Sequence, residues 1–155
     1  MKNILTSLMF IFVINFIFSQ TTVFWHEDIE SAKKESLKTG KPLMLFFTGS
    51  DWCGWCIKLQ KEVFKEEEFA KWANENVVLV DLDFPRRKEQ DPTIKSQNLK
   101  LQQQFNIMGF PTVVFASPVK ENNELTLIEI GKRSGYMSGG AATWCADASQ
   151  KLLLD

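Results

Sequence analysis

Cysteine and histidine are scarce in this chain of 155 residues, which has three cysteines and one histidine. Three cysteines are too few for the disulfide framework of a small secreted domain, and one thiol must remain outside any single pair. A zinc site needs about four N, S or O ligands. Cys53 and Cys56 are close in sequence, but only His26 and Cys145 could complete a ligand set with them. We therefore expect no metal site.

An excess of charge of either sign is also absent. The chain has 18 Lys and Arg residues against 19 Asp and Glu residues, which gives a formal net charge of −1. A nearly neutral chain has no electrostatic preference for nucleic acid or for an anionic membrane surface. We therefore expect no nucleic-acid partner.

The N-terminal apolar run is too short to cross a membrane. Residues 4–18 would span about 22 Å as a helix, less than the roughly 30 Å hydrocarbon core. The run follows Lys2 and precedes the small residue Ser19, a pattern typical of a secretory signal peptide, and no cysteine lies there to carry a lipid. We predict a signal peptide at 1–19 and one domain at 20–155, exported to the periplasm or the cell exterior. An uncleaved anchor is the alternative.

Hydrophobic periodicity predicts helices that alternate with strands and a final hairpin. Asp28 is the predicted N-cap of the first helix, and Gly40 its C-terminal stop. Such an order is typical of an α/β protein with a mixed central sheet and helices on both faces. The predicted helices cover 29–39, the segment after Cys53 to 64, 66–74, 94–105 and 141–154, and the predicted strands cover 42–48, 77–83, 112–116 and 125–130.

The segment 49–56, GSDWCGWC, joins a predicted buried strand to a predicted helix. Cys53 and Cys56 are spaced i, i+3, so they share one helical face and can close a small disulfide ring. A helix N-terminus favours a thiolate, and a lowered thiol pKa makes a cysteine nucleophilic near neutral pH. We predict that Cys53 attacks a client disulfide and that Cys56 resolves the mixed disulfide. A permanent structural disulfide is the alternative, although so short a loop gains little stability.

Five segments of the chain form a recognisable set: FTGSDWCGWC at 47–56, EVF at 62–64, DLD at 81–83, IMGFPT at 107–112 and Gly135-Tyr136. With these segments the chain resembles the thioredoxin superfamily, and within it exported thioredoxin-like proteins similar to the C-terminal domain of the DsbD reductase. The resemblance covers roughly 25–154 and implies a thioredoxin fold whose only redox group is the Cys53–Cys56 disulfide, with no other cofactor.

The resemblance also implies roles for residues around the cysteines. It implies a cis peptide bond before Pro111, facing the cysteine pair, where the backbone of Phe110 and Pro111 can pair with an extended client segment. An ordinary proline at the start of a strand is the alternative. Trp52 is predicted to contact clients, although it could equally belong to the packed core. Cys145 is expected to be a small buried hydrophobe, with a regulatory thiol as the alternative.

Two acidic groups of the family pattern are missing. The family usually buries an acid in the strand before the motif, where this chain has Phe46 and Phe47. The DsbD-type domain has a glutamate one turn after the motif, where this chain has Gln60. Deprotonation of Cys56 must therefore rely on water or on another base.

A charged loop at 85–92 follows the strand predicted at 77–83. If that strand is parallel to the one before the motif, the carboxyl ends of both emerge at one edge of the sheet. Arg86, Arg87 and Lys88 would then lie near the cysteines. There they would either help to select the partner or be merely solvated.

These observations predict an exported protein thiol–disulfide oxidoreductase. The resemblance to DsbD-type domains implies a reductase of client protein disulfides, supplied with electrons by a membrane or periplasmic electron-transfer partner, and we expect it to be a monomer. A disulfide oxidase or isomerase of the same fold, acting on client dithiols, is one alternative. A non-catalytic binding module that uses the thioredoxin fold is another.

Overall fold

The computed structural model describes residues 22–121 and 124–153, so the predicted signal peptide lies outside the described residues. Within them, none of the helices is long and apolar enough to cross a membrane. Five strands form one sheet in the order β1-β3-β2-β4-β5. The strands are β1 Trp25–His26, β2 Leu43–Thr48, β3 Val78–Asp83, β4 Thr112–Glu121 and β5 Glu124–Ser134. The helices are α1 Ile29–Thr39, α2 Gly54–Leu59, α3 Glu67–Asn76, α4 Pro92–Gln104 and α5 Gly140–Leu152.

The first helix begins and ends at the predicted residues. The carboxylate of Asp28 accepts hydrogen bonds from the N–H groups of Glu30 and Ser31, which would otherwise lack partners at the helix start. Gly40 follows the helix with φ 71°, in the left-handed conformation that glycine adopts most easily. Local capping chemistry therefore sets both boundaries of α1.

Strand β2 lies at the centre of the sheet, and all six of its residues are buried. It is parallel to β3, as predicted, and antiparallel to β4. The register places Thr48 opposite Asp83, so β2 and β3 end together at the same edge. The segments that follow them, the cysteine motif and the charged loop, consequently start side by side.

Both faces of the sheet are covered, which confirms the predicted α/β architecture with a mixed sheet. One face packs Met44 and Phe46 of β2 against Trp144 of α5, in the same cluster as Cys53 and Cys56. The other face packs apolar residues of β2, β3 and β4 against α1 and α4. The cysteine pair therefore belongs to the face that carries α2, α3 and α5.

Both strands of the final hairpin and the helix of the motif differ from the predicted elements, and β5 continues to Ser134 instead of ending at residue 130. Strand β4 continues through Pro118 to Glu121 instead of ending at residue 116. Past Ala116 it pairs with β5 alone, and an edge position tolerates a residue without an N–H group. The helix of the motif also changes to a π-helical turn over Gln60–Phe64, where the N–H of Lys65 donates to the carbonyl of Gln60 at 3.0 Å.

Candidate active site

Cys53 and Cys56 form a disulfide where β2 leads into α2, with their Cα atoms 5.2 Å apart. Cys53 is the N-cap of α2, and the backbone N–H of Cys56 donates to the Cys53 Sγ at 3.2 Å. Cys53 keeps 6% of its surface exposed, whereas Cys56 keeps none. Solvent therefore reaches the pair through Cys53, and a hydrogen-bond donor points at its sulfur.

The Phe110–Pro111 peptide bond is cis. Pro111 is buried and directly precedes Thr112, which pairs with Phe47 of β2. The carbonyl of Pro111 is not free, because it accepts a hydrogen bond from the N–H of Gly135 at 2.8 Å. Within the described ranges, the N–H and C=O of Phe110 make no hydrogen bond. The backbone available to an incoming strand is therefore that of Phe110.

Trp52 is half-buried and joins the motif to its surroundings. Its ring meets Phe110 edge-to-face at 5.8 Å between centroids, and the guanidinium of Arg86 lies 3.6 Å from its ring centroid. Its indole N–H donates to the carbonyl of Phe84 at 2.7 Å. A Cβ atom at Gly49 would lie 2.6 Å from Trp52 Nε1, so only glycine fits against this ring. Part of the Trp52 ring is therefore covered by the Arg86 guanidinium instead of being bare.

The charged loop is fixed to the motif through Asp51. The carboxylate of Asp51 accepts hydrogen bonds from the backbone N–H groups of Arg86, Arg87 and Lys88 at 2.7–3.2 Å. These bonds hold the pKa of the Asp51 carboxyl below its usual range, and the bond from the N–H of Arg86 has the largest effect. The expectation that the loop lies beside the motif is thereby confirmed. Backbone donors leave no signal in sequence, so Asp51 itself was missed.

A second carboxylate holds the same junction from β3. Asp83 accepts hydrogen bonds from the N–H of Ser50 at 2.8 Å and from its hydroxyl at 2.6 Å. The Lys88 Nζ donates to the same hydroxyl oxygen at 3.2 Å. The turn before the cysteines and the end of β3 therefore form one hydrogen-bonded unit.

Trp55 is the exposed aromatic residue of the motif, at 59%. Its ring stacks on Tyr136 at 5.4 Å, and the Lys58 Nζ lies 4.8 Å from the centroid of the Tyr136 ring. The Tyr136 hydroxyl donates to Glu62, and this hydrogen bond raises the pKa of Tyr136. A groove of about 220 Å³ beside this stack is lined by Trp55, Phe110, Pro111, Gly135 and Tyr136.

Sequence reasoning also missed Asp81 of β3. It lies opposite Phe46 in the register and on the face of the sheet that carries α2. Its Oδ1 has no hydrogen-bond partner among the described residues, and the side chain borders a pocket of about 190 Å³ that Gln60 also lines. Burial, then the charges of Asp83 and Glu27, raise the pKa of Asp81 to about 7. The strand before the motif lacks an acid, but its neighbour supplies one on the same face.

The four residues weighed as zinc ligands are engaged in different contacts. Cys53 and Cys56 form a disulfide with each other, and Cys145 of α5 packs in the hydrophobic core. His26 of β1 shares a hydrogen bond of 3.1 Å with Ser31. Across 22–121 and 124–153, no three His, Cys, Asp or Glu side chains are grouped as a metal site.

Cys145 is a free thiol that we expect to be unreactive in the folded protein. Its burial, with a smaller contribution from the charge of Glu68, raises the pKa of the thiol to about 11. Because the thiolate is the reactive form, a thiol reagent at pH 8 should label no cysteine in the native oxidised protein and one cysteine after denaturation. Rapid labelling of the native oxidised protein would contradict this.

Comparison with known proteins agrees with the fold and with the cysteine motif. The family model described as a thioredoxin-like domain matches residues 29–123. The "Disulfide bond reductase DsbH" of Chlamydia pneumoniae is 34% identical over 128 residues, which cover 83% of this chain and 72% of that protein. The "Thiol:disulfide interchange protein DsbD" of Campylobacter jejuni (strain RM1221) is 32% identical over 100 residues, which cover 64% of this chain but only 16% of DsbD.

A solved structure gives the same result. The structure described as "DsbH Oxidoreductase" superposes with a TM-score of 0.75 at 30% identity, and the match covers 86% of this chain and 87% of the other. The predicted thioredoxin fold and the predicted resemblance are therefore confirmed. The chain belongs to the thioredoxin-like domain family, and within it to the thiol–disulfide oxidoreductases of the Dsb type with a Cys53–Cys56 pair.

Proposed function

We propose that this protein is an exported reductase that passes electrons from its reduced Cys53–Cys56 pair to the disulfides of client proteins. The observation that carries the proposal is the pair itself: Cys56 is fully buried, Cys53 is not, and the Cys56 N–H points at the Cys53 Sγ. The name of the 34% identical DsbH, a disulfide bond reductase, supports the reductive direction. The signal-peptide pattern at 1–19 supports export, with 20–155 as the mature domain.

The client would first pair with the protein as an added strand. The N–H and C=O of Phe110, which have no partner in the described part of the chain, offer the hydrogen bonds that an extended segment needs. The groove between Pro111 and the Trp55–Tyr136 stack would receive a client side chain, and Trp52 would border the segment on the other side of Phe110. This binding would hold the client sulfur at Cys53.

Two thiol–disulfide exchanges would follow. The Cys53 thiolate attacks a client sulfur, which forms a Cys53–client disulfide, breaks the client disulfide and releases one client thiolate to take a proton from solvent. The Cys56 thiolate then attacks the Cys53 Sγ, which forms the Cys53–Cys56 disulfide and releases the second client thiolate. The client gains two electrons, and the pair loses two. The Cys56 N–H would stabilise negative charge on the Cys53 Sγ in the reduced state.

A further turnover requires reduction of the pair by another dithiol. We propose a membrane or periplasmic electron-transfer partner for that step and no cofactor besides the disulfide. One domain of this size with both cysteines on the same chain needs no second subunit for the chemistry, so the proposed form is a monomer.

The reduction potential of the pair tests the direction of electron flow. Equilibration with glutathione buffers should give a value near that of thioredoxin, about −270 mV, whereas a dithiol oxidant would lie near −120 mV. A pair that resists reduction while the protein remains folded would instead be a structural disulfide, and the proposal would be wrong.

Insulin reduction with dithiothreitol tests turnover. The wild-type protein should precipitate the insulin B chain well above background, and Cys53→Ser should not. A binding module without turnover would leave insulin reduction at background, and its affinity for clients would be the same with Cys53→Ser.

A further inference from the structure

We infer that the basic loop, residues 85–90, is a docking surface for an acidic segment of the client next to the client cysteine. The inference rests on the proposed function, because it names a class of client for the same site. The loop sequence is PRRKEQ, so three cations are accompanied by one carboxylate, that of Glu89. Glutamate or aspartate side chains close to the client disulfide are the proposed occupants.

The backbone of the loop is held in place mainly by Asp51, and the Gln90 side chain adds a further hydrogen bond. Asp51 accepts the three N–H groups of Arg86, Arg87 and Lys88, and the Gln90 side chain donates to the carbonyl of Asp83 at 2.9 Å. The side chains of Arg86, Arg87 and Lys88 remain exposed, and among the described residues none of them has a carboxylate within salt-bridge distance. Because the backbone that carries these cations is already ordered, an anionic partner can bind them without the cost of ordering the loop.

The loop is continuous with the strand-binding backbone of the proposed client site. Phe110 contacts Trp52 at 5.8 Å between ring centroids, and Trp52 carries the Arg86 guanidinium at 3.6 Å from its ring centroid. Phe84, which opens the loop, also contacts Phe110 at 5.1 Å. A segment paired with Phe110 that continues past Trp52 therefore meets Arg86 next.

Two carboxylates beside this surface, those of Asp51 and Asp83, are engaged by hydrogen-bond donors. Asp51 is held by the loop N–H groups, and Asp83 by Ser50. The carboxylates of Glu27, Asp81 and Glu89 line a pocket that Lys88 also lines, but Arg86 and Arg87 do not line it. On the other side of the groove, the cation of Lys58 lies over the Tyr136 ring and pairs with Glu62 at 3.9 Å. The positive side of the site is thus the side of the basic loop, so we place the acidic residues of the client there.

Opposite charges at the rim of a site raise the rate of association and lose their effect in salt. A test compares three peptides with one intramolecular disulfide each, identical except for Glu, Gln or Lys on both sides of every cysteine. The second-order rate constant for their reduction by the reduced protein is measured by stopped-flow tryptophan fluorescence. At low salt the Glu peptide should react roughly tenfold faster than the Lys peptide, and the ratio should fall towards one at about 0.5 M salt.

Charge variants assign the effect to the loop. Arg87→Glu with Lys88→Glu should invert the order of the peptides, and the neutral pair Arg87→Gln with Lys88→Gln should remove the preference, each with an unchanged reduction potential. If the charge-reversal variant does not fold, the loss of preference in the variant Arg87→Gln with Lys88→Gln still tests the docking surface. The matched control is Lys34→Glu with Lys100→Glu, on exposed positions of α1 and α4 at the other face of the sheet, and it should keep the wild-type preference.

The docking surface and the proposed function are overturned by different results. Equal rates for the three peptides with the wild-type protein, or the same preference in the loop variants, would overturn the docking surface and leave the reductase intact. A reduced wild-type protein that reduces none of the peptides would overturn the proposed function.

Discussion

Replacement of Cys56 by serine should convert turnover into the accumulation of a stable mixed disulfide between Cys53 and the client. Cys53 keeps its exposure and can still attack, but no second thiol remains to release the client. Insulin reduction should fall to background after a single stoichiometric reaction. The covalent complex should be visible by intact mass spectrometry under non-reducing conditions, and dithiothreitol should cleave its disulfide.

Two further variants make this result specific. Cys53→Ser should form no complex, because Cys56 is fully buried and cannot reach a client sulfur. Cys145→Ala should turn over insulin like the wild type, because Cys145 is a buried free thiol with a raised pKa. A mixed disulfide that survives in Cys53→Ser would show that the roles of Cys53 and Cys56 have been assigned the wrong way round.

Replacement of Asp81 by asparagine should stabilise the oxidised protein strongly at pH 8 and by only about a third as much at pH 5. Burial and the charges of Asp83 and Glu27 raise the pKa of Asp81 from its ordinary 3.8 to about 7, and only Lys88 opposes them. The folded protein therefore binds a proton more tightly here than the unfolded chain does. The stability of the wild type should fall as the pH rises from about 4 to about 7, and remain low above that.

Asparagine carries no charge, so it avoids the cost of an ionised carboxylate at this position. At about 1.4 kcal/mol for each pH unit, and with partial exposure taken into account, the gain in the free energy of unfolding at pH 8 should be about 2–4 kcal/mol. Urea denaturation at both pH values measures it. The control Glu75→Gln removes an exposed carboxylate from α3 and should show no such difference between the two pH values. A gain for Asp81→Asn that is equal at pH 5 and pH 8 would rule out titration of Asp81 as its source.

The parts of the fold that could be predicted depend on local chemistry or on strong hydrophobic patterns. The cap at Asp28 and the stop at Gly40 set α1 to the residue. The run of six buried residues in β2 and the apolar start of β3 identified the two central strands, and their parallel pairing followed from the predicted α/β order. The junction of β2 with the cysteine helix then determined where the candidate site lies.

The parts that were missed depend on long-range contacts that residue types do not reveal. Asp51 and Asp83 find their donors 33 to 37 residues away, mainly in backbone N–H groups. Asp81 lies in a strand that ends with alternating acids, which is typical of an exposed strand end, and its burial depends on how Gln60 and Phe64 pack above it. The π-helical turn at Gln60–Phe64 keeps an apolar spacing that an ordinary α-helix would also show.

The bonds of Asp51 and Asp83 also set the order in which the protein can mature. The Cys53–Cys56 ring spans four residues and can close as soon as both cysteines have left the ribosome. The surroundings that distinguish it from any other short ring require β3 and the loop as far as Lys88, because Ser50 and Asp51 bond to residues 33 to 37 positions later. Such non-local contacts form late in folding. During synthesis the cysteine pair therefore exists for a time without the contacts that join its turn to the loop, and those contacts form only when the segment up to Lys88 has been made.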